Sequence, residues 1–210
     1  MAKGPVVTRR NTFFARWVGW VSLGESLGFL APVLAQSVPV APGPAAAAVP
    51  LLVLAGLVEG AVLGWFQVRV LRTTLPGVSV LRWVLLTAAA AVVAWTVALL
   101  TFSNEGWQGW PAPAQAATGA VAAVVILVSI GLAQWFELRH HVPRAWRWVA
   151  GSAAAWTAGL GVFMAVATPL WQPGQDVWLV AAIGAGAAVL MAVAMAAVTG
   201  LVMVRLLPKT

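Results

Sequence analysis

The chain has 210 residues, of which 62% are hydrophobic and 8% are charged, and its formal net charge is +7. Because about a quarter of the residues in soluble domains are charged, this composition excludes a water-soluble fold. The sequence contains no cysteine, which excludes disulfides, thiol catalysis and iron–sulfur clusters. With two histidines in the whole chain, a histidine-rich metal site in the membrane is excluded too, and we expect no cofactor.

Six apolar segments follow one another along the chain. Each is long enough to cross a hydrocarbon layer of about 30 Å as a helix of about 20 residues. Their continuous apolar runs favour helices over a β-barrel, whose strands alternate apolar and polar residues. The chain is therefore predicted to be an all-α polytopic membrane protein, with residues 1–210 forming one integral membrane domain. After a basic cytoplasmic tail at 1–15, the predicted helices span residues 17–35, 49–68, 83–102, 117–136, 148–168 and 177–204.

The basic residues divide cleanly between the two sides of the predicted domain. All twelve Lys and Arg lie in the tails and in the second and fourth connections. The other three connections have none and contain Glu105, Trp107, Trp110 and Asp176. Because cytoplasmic loops are enriched in Lys and Arg, both termini are predicted to be cytoplasmic in a multi-pass protein of the cytoplasmic (inner) membrane. The scattered basic residues do not indicate nucleic-acid binding, and the expected partner is the lipid bilayer.

A short motif recurs on the basic side of the domain. One segment ends in Trp-Phe and an arginine, and the next begins with Arg-Trp-Val. The full motif occurs twice, and a third copy, which keeps the closing arginine and the opening Arg-Trp-Val, is split between the two ends of the chain. We therefore predict three two-helix pseudo-repeats, formed by helices two and three, four and five, and six and one. The motif predicts these cytoplasmic interface anchors: Arg16, Trp17, Arg69, Arg82, Trp83, Arg139, Arg147, Trp148 and Arg205.

This pattern resembles that of uncharacterised bacterial six-helix membrane proteins with repeated Trp-Phe/Arg and Arg-Trp-Val elements. The resemblance covers most of the chain and implies the six-helix fold. It implies no activity.

Two carboxyl groups are predicted to lie deep in the membrane. Glu25 follows Arg16, and Glu59 precedes Arg69, by about two and a half helical turns, which places both near the bilayer midplane. A carboxylate there costs at least ~2.5–3.5 kcal/mol on insertion scales, so both should face protein or water. They form a candidate intramembrane proton or cation site. The alternative is a structural role, in which each protonated carboxyl bonds a backbone carbonyl or a nearby serine such as Ser22.

Glycines at four-residue spacing mark candidate helix-packing faces. Segment one contains Gly24 and Gly28, and segment two contains Gly56, Gly60 and Gly64. Small residues at this spacing let helix backbones approach closely, either within the protein or in a homodimer.

Other polar residues are scattered through the segments. Thr87, Ser129, Gln134 and Trp156 are expected to form hydrogen bonds between helices. Glu137 is followed by His140, His141, Arg144 and Arg147, which indicates a local ion-pair cluster, with pH sensing as the alternative.

The sequence contains no catalytic triad, metal-binding motif or nucleotide-binding fingerprint, so an enzyme is not favoured. It favours a non-catalytic accessory or assembly subunit of a membrane complex, in contact with other membrane subunits or with a second copy. The alternative is a small proton- or cation-responsive transporter or channel that uses Glu25 and Glu59. A water-filled vestibule that reaches both glutamates would favour the transporter, and a solidly packed bundle would favour the subunit.

Overall fold

The computed structural model describes residues 5–37, 48–102 and 109–208, with side chains over 9–36, 49–102 and 109–208. Residues 38–47 of the first connection lie outside this part of the chain, as do Glu105 and Trp107. The described residues form helices and turns and no strands, so the prediction of an all-α protein with six spanning helices is confirmed. The helices are α1 (Pro5–Gly28), α2 (Leu30–Ser37), α3 (Ala48–Leu71), α4 (Val80–Phe102), α5 (Ala112–Leu138), α6 (Trp146–Leu170) and α7 (Val177–Leu206).

The first span is made of two helices, α1 and α2, which are interrupted at Phe29. Pro32 has no N–H to donate to the carbonyl of Gly28, so the helical ladder loses a bond at this point. Hydrogen bonds from Phe29 to the carbonyl of Glu25 (2.9 Å) and from Val33 to the carbonyl of Phe29 (3.3 Å) continue the chain in the same direction. The tail predicted at residues 1–15 is helical from Pro5 onward, which extends the span at its basic end.

The other five spans are single helices that extend up to a few residues beyond their predicted bounds. At the start of α7, the side chain of Asp176 accepts a hydrogen bond of 2.8 Å from the backbone N–H of Trp178. This cap satisfies one of the free N–H groups of the first turn. α7 is the longest helix, with 30 residues, as its long uncharged segment predicts.

The six spans form a closed ring. Each packs against the next one in chain order, and α1 packs against both α3 and α7, so the last span closes the ring onto the first. The predicted contact between segments six and one is therefore present. A guanidinium N–H of Arg10 donates to the backbone carbonyl of Leu207 at 3.5 Å, which joins α1 to the residue that follows α7. We call this end of the bundle, which also carries the α3–α4 and α5–α6 linkers, the basic end, and the opposite end the outer end.

The outward faces of the spans are apolar. All six are long and apolar enough to cross a membrane. Large side chains such as Leu34, Leu81 and Val121 are exposed by 64%, 68% and 65%. Soluble monomers rarely expose continuous apolar surface of this kind, whereas acyl chains cover it without cost. The chain is a multi-pass membrane protein whose outer surface contacts the bilayer.

Candidate functional site: a central cavity with two glutamates

A cavity of about 240 Å³ lies inside the ring, and all six spans contribute to its wall. Its lining is mainly apolar and aromatic, with Ile130, Trp95 and Trp156 among the side chains. Glu25 from α1 and Glu59 from α3 supply its carboxyl groups. The structure thus brings together the two glutamates singled out in the sequence, on one internal surface.

Glu59 is held in place by α4. The indole N–H of Trp95 donates to Oε2 of Glu59 over 2.8 Å, and the Glu59 side chain is 7% exposed. A Cβ atom at Gly56 would collide with the ring of Trp95, so the glycine leaves room for the indole beside α3. The bond supplies one of the donors that a buried carboxyl group requires.

Glu25 has no such anchor. It is 1% exposed, and neither of its carboxyl oxygens has a hydrogen-bond partner among the described residues. The hydroxyl of Ser22, an expected alternative partner, instead donates to the carbonyl of Ala192 at 3.5 Å. Leaving a buried polar group without a partner costs about 1–3 kcal/mol, and more when the group is charged. A buried carboxyl of this kind is therefore suited to hold a proton, a water or a cation.

The two glutamates approach each other because α1 packs closely on α3. A Cβ atom at Gly28 would lie 3.1 Å from the backbone oxygen and 3.4 Å from Cγ of Glu59. Glu25 and Glu59 both line the cavity. Two negative charges in an apolar cavity repel strongly, so the pair is stable only when a proton or a cation reduces its charge.

The five candidate packing glycines form two separate interfaces. Gly24 and Gly28 face α3, where a Cβ at Gly24 would come within 2.5 Å of Cβ of Phe66. Gly56, Gly60 and Gly64 face α4 instead, and a Cβ at Gly60 would lie 2.9 Å from the backbone oxygen of Thr87. The two sets do not face each other, and both are occupied by contacts within the chain.

The tryptophans of the three Arg-Trp-Val elements meet inside the bundle. Trp17, Trp83 and Trp148 are 0% exposed. The ring of Trp148 lies 6.0 Å from that of Trp17 and 6.3 Å from that of Trp83, between centroids. The sequence places these residues as anchors at the cytoplasmic interface, whereas their side chains face the interior. We call the three rings the indole layer.

A hydrogen-bond network connects two of these indoles. Gln134 donates from Nε2 to Oε1 of Gln67 (2.7 Å) and to Oγ1 of Thr87 (2.9 Å), and its Oε1 accepts from Nε1 of Trp148 (2.9 Å). Trp83 donates to the same oxygen of Gln67 at 3.2 Å. The hydrogen bonds between helices that the sequence predicts for Gln134 and Thr87 are therefore present.

The remaining polar side chains of the spans have other surroundings. Trp17 donates to Oγ1 of Thr199 at 3.0 Å, so the third indole has its own acceptor on α7. Ser129 donates to the carbonyl of Ile126 at 3.0 Å, within its own helix. Trp156 lines the cavity.

The indole layer and its network lie directly below the cavity. Leu63 on α3 and Ile130 on α5 line the cavity. Gln67 and Gln134 follow them by one helical turn toward the basic end. Both amides are buried. The amide network therefore lies between the cavity and the basic end.

Glu137 forms a separate cluster at the basic end. Its Oε1 accepts from the backbone N–H of Ser79 at 2.8 Å and lies 3.2 Å from Nε2 of His141. Arg82 reaches Oε2 at 3.8 Å. Of the residues predicted around Glu137, His141 reaches its carboxylate, and the arginine that pairs with it is Arg82, at the start of α4. The cluster fastens the α3–α4 linker to α5.

Sequence reasoning missed Trp95 and Gln67. Trp95 lies in the middle of an apolar segment, where an indole N–H has few acceptors, and this position could have indicated a buried partner. Gln67 follows the Trp-Phe pair of the recurring motif and was not singled out, although an amide inside the membrane domain usually bonds across helices.

No protein-family model matches this chain, and no curated protein or solved structure is significantly similar to it. The geometry of the cavity is therefore the basis for a functional assignment.

Proposed function

We propose that this protein is a small transporter that binds a cation at Glu25 and Glu59 and responds to protonation of the same pair. The observation that carries the proposal is the unpaired carboxyl of Glu25 in a cavity lined by all six spans. Ionisable groups inside membrane proteins commonly belong to ion pathways and proton relays. A cavity that reaches both glutamates favours this alternative over an accessory subunit with a solid core.

The charge of the pair gives the proposed mechanism. In the empty cavity a proton on at least one carboxyl prevents the two charges from facing each other. A cation that enters takes over this neutralisation and releases the proton, and reprotonation releases the cation. Because the amide network and the indole layer lie toward the basic end, the proposed loading is from the outer end, and passage requires Trp17, Trp83 and Trp148 to separate.

The proposal includes the internal repeat and the orientation predicted from the sequence. The three two-helix units would be α3–α4, α5–α6 and α7–α1, arranged around an axis along the membrane normal. The convergence of the three Arg-Trp-Val tryptophans near one point supports this arrangement. The division of the basic residues supports cytoplasmic termini in the inner membrane.

The accessory-subunit hypothesis depends on the aromatic residues at the outer end. Trp110 and Trp178 are exposed by 50% and 79%. Tryptophan is enriched wherever a membrane protein meets the headgroup region, so lipid alone accounts for this exposure. A subunit that acts only through its surface does not require an unpaired carboxyl at the centre of the bundle. The transporter is therefore the better account.

Flux through purified protein tests the proposal. Proteoliposomes with an acidic lumen and an internal pH dye would receive chloride salts of sodium, potassium, calcium or tetraethylammonium outside. Wild-type protein should alkalinise the lumen with at least one of these cations, and Glu25→Gln/Glu59→Gln should not. Glu137→Gln removes a buried carboxyl outside the cavity and serves as the control that retains flux. Wild-type vesicles that match empty liposomes with all four salts would refute transport.

A further inference from the structure

The wall of the cavity indicates which kind of cation it holds, an inference that rests on the proposed function. We propose that the site between Glu25 and Glu59 takes a small monovalent organic cation, an ammonium group with an apolar body, and not a metal ion. Three observations carry this inference: the aromatic and apolar lining, the small number of oxygen ligands, and the unpaired carboxyl of Glu25.

The size and lining suit a compact organic molecule. The cavity volume of about 240 Å³ lies just below the range of ~300–1,000 Å³ typical of sites for drug-sized ligands. Phe29, Trp95, Trp156 and Leu160 provide aromatic and aliphatic contacts. The faces of indole rings attract ammonium groups, and this attraction strengthens when water is excluded. An apolar body gains from the same walls, which offer nothing to a hydrated inorganic ion.

The oxygen ligands are too few for a hard metal ion. The described residues contain no group of three or more His, Cys, Asp and Glu that could hold a metal. The glutamates bring two carboxyl groups, and Oε2 of Glu59 already accepts from Trp95. Calcium takes 6–8 oxygen ligands, and magnesium requires an octahedral shell. A substituted ammonium needs only one nearby negative charge, which Glu25 can supply.

The charge balance predicts an exchange with protons. Glu25 on α1 and Glu59 on α3 are the ionisable residues in the lining, and α4, α5, α6 and α7 present none to the cavity among the described residues. A monovalent cation therefore replaces one proton. By linkage, its dissociation constant should fall as the pH rises, by up to about tenfold per unit, over the pH range in which the free site holds that proton.

The test measures binding to the purified protein in mild detergent, separately from flux. The probes are tetraethylammonium and phenethylammonium, with 2-phenylethanol as an uncharged molecule of matched shape, and sodium and calcium chloride at equal ionic strength. The two organic cations should raise the melting temperature by roughly 5–10 °C at a hundredfold excess over Kd. In weakly buffered solution each bound tetraethylammonium should release up to one proton.

Variants test the charge of Glu25 and the volume of the cavity separately. Glu25→Gln keeps the side-chain shape and should abolish both the thermal shift and the proton release. Ala94→Leu fills the cavity wall without touching a carboxyl, and it should abolish binding of the organic cations. Ala89→Leu adds the same volume on the exposed face of the same helix, and it should bind as wild type does. Each shift is compared with the unliganded form of the same variant, so altered stability does not obscure the result.

The outcomes distinguish this inference from the proposed function. An equal shift with 2-phenylethanol would show that apolar contact alone binds, and it would overturn the cation site. A shift with sodium or calcium and none with the organic cations would overturn the ligand class but leave a cation transporter standing. Binding of tetraethylammonium that depends on Glu25, with no flux in vesicles, would uphold the ligand class and refute transport.

Discussion

The indole N–H of Trp95 lies 2.8 Å from Oε2 of Glu59 and joins α4 to α3 deep in the membrane domain. Glu25, on the same cavity, has no corresponding donor among the described residues. The two carboxyls are thus unequal: one is positioned by the protein, and the other is left for whatever enters the cavity. At the candidate site the protein therefore departs from the proposed threefold repeat, as a specific binding site would require.

Trp95→Phe should destabilise the protein by about 1–3 kcal/mol, because Glu59 loses its donor while it remains buried. Trp156→Phe is the matched control. It removes another indole from the cavity wall, and Trp156 makes no hydrogen bond within the described part of the chain. Thermal unfolding in detergent compares the two. Equal losses would mean that the bond between Trp95 and Glu59 contributes nothing beyond packing.

Gln134→Leu should cost about 1–3 kcal/mol, since it leaves the indole N–H of Trp148 without an acceptor inside the bundle. Ser129→Ala, on the same helix, removes a hydroxyl that bonds only to its own helix and should change stability by less than ~0.5 kcal/mol. The same unfolding measurement serves here. If the leucine variant is as stable as the alanine variant, the network has no role in holding the indole layer.

Closure of the ring makes a circular permutant feasible. The first helix meets the residue that follows the last one where Arg10 contacts Leu207, so a glycine–serine linker can join the termini on this side. A new start at Pro143, in the α5–α6 linker, keeps all six spans and both membrane sides. We expect the permutant to fold with a melting temperature within a few degrees of wild type. The control is a tripeptide inserted in the α5–α6 linker of the unpermuted chain. If this insertion is tolerated and the permutant fails to insert in the membrane, the arrangement in which α7 closes on α1 is contradicted.

The spans themselves were predictable because length and apolarity are local properties of each segment. The rotation of each span about its own axis was not predictable. A span that is apolar all round does not show which face packs inward, so Trp17 was assigned to the lipid interface although it belongs to the interior. Depth along the axis was easier to predict, and it placed Glu25 and Glu59 level with each other. The partner of Glu59 came from a third helix, and no spacing within the first two segments could reveal it. The break at Phe29 had a local signal in Gly28 and Pro32.

Membrane orientation follows from the distribution of arginine and lysine and can be tested by labelling. The native chain has no cysteine, so single cysteines give an unambiguous signal. Pro173→Cys should react with an impermeant maleimide added to intact cells. Pro76→Cys and Pro143→Cys, also exposed in the structure, should react only after the membrane is permeabilised. The reverse pattern would invert the topology.

Replacing both glutamates tests the premise on which the site depends. In the wild type, raising the pH forces a second negative charge into an apolar cavity, and this costs free energy only in the folded protein. Wild-type stability should therefore fall toward alkaline pH, whereas Glu25→Gln/Glu59→Gln, which has no charge to gain there, should not follow it. The difference should approach roughly 2.5–3.5 kcal/mol, the scale of placing a carboxylate at the bilayer centre.

At neutral pH the double variant should be as stable as wild type or more stable, because amides keep hydrogen-bonding capacity without charge. Melting temperatures across pH 5–9 provide the comparison, and Glu137→Gln provides the control, since its carboxyl lies at the basic end among Ser79, His141 and Arg82. If the pair is purely structural, the double variant should gain stability and lose no activity. If the pair is a transport site, the double variant should gain the same stability and lose flux. Parallel pH profiles of wild type and the double variant would mean that no charge is confined between Glu25 and Glu59, and the cation site would have to be abandoned.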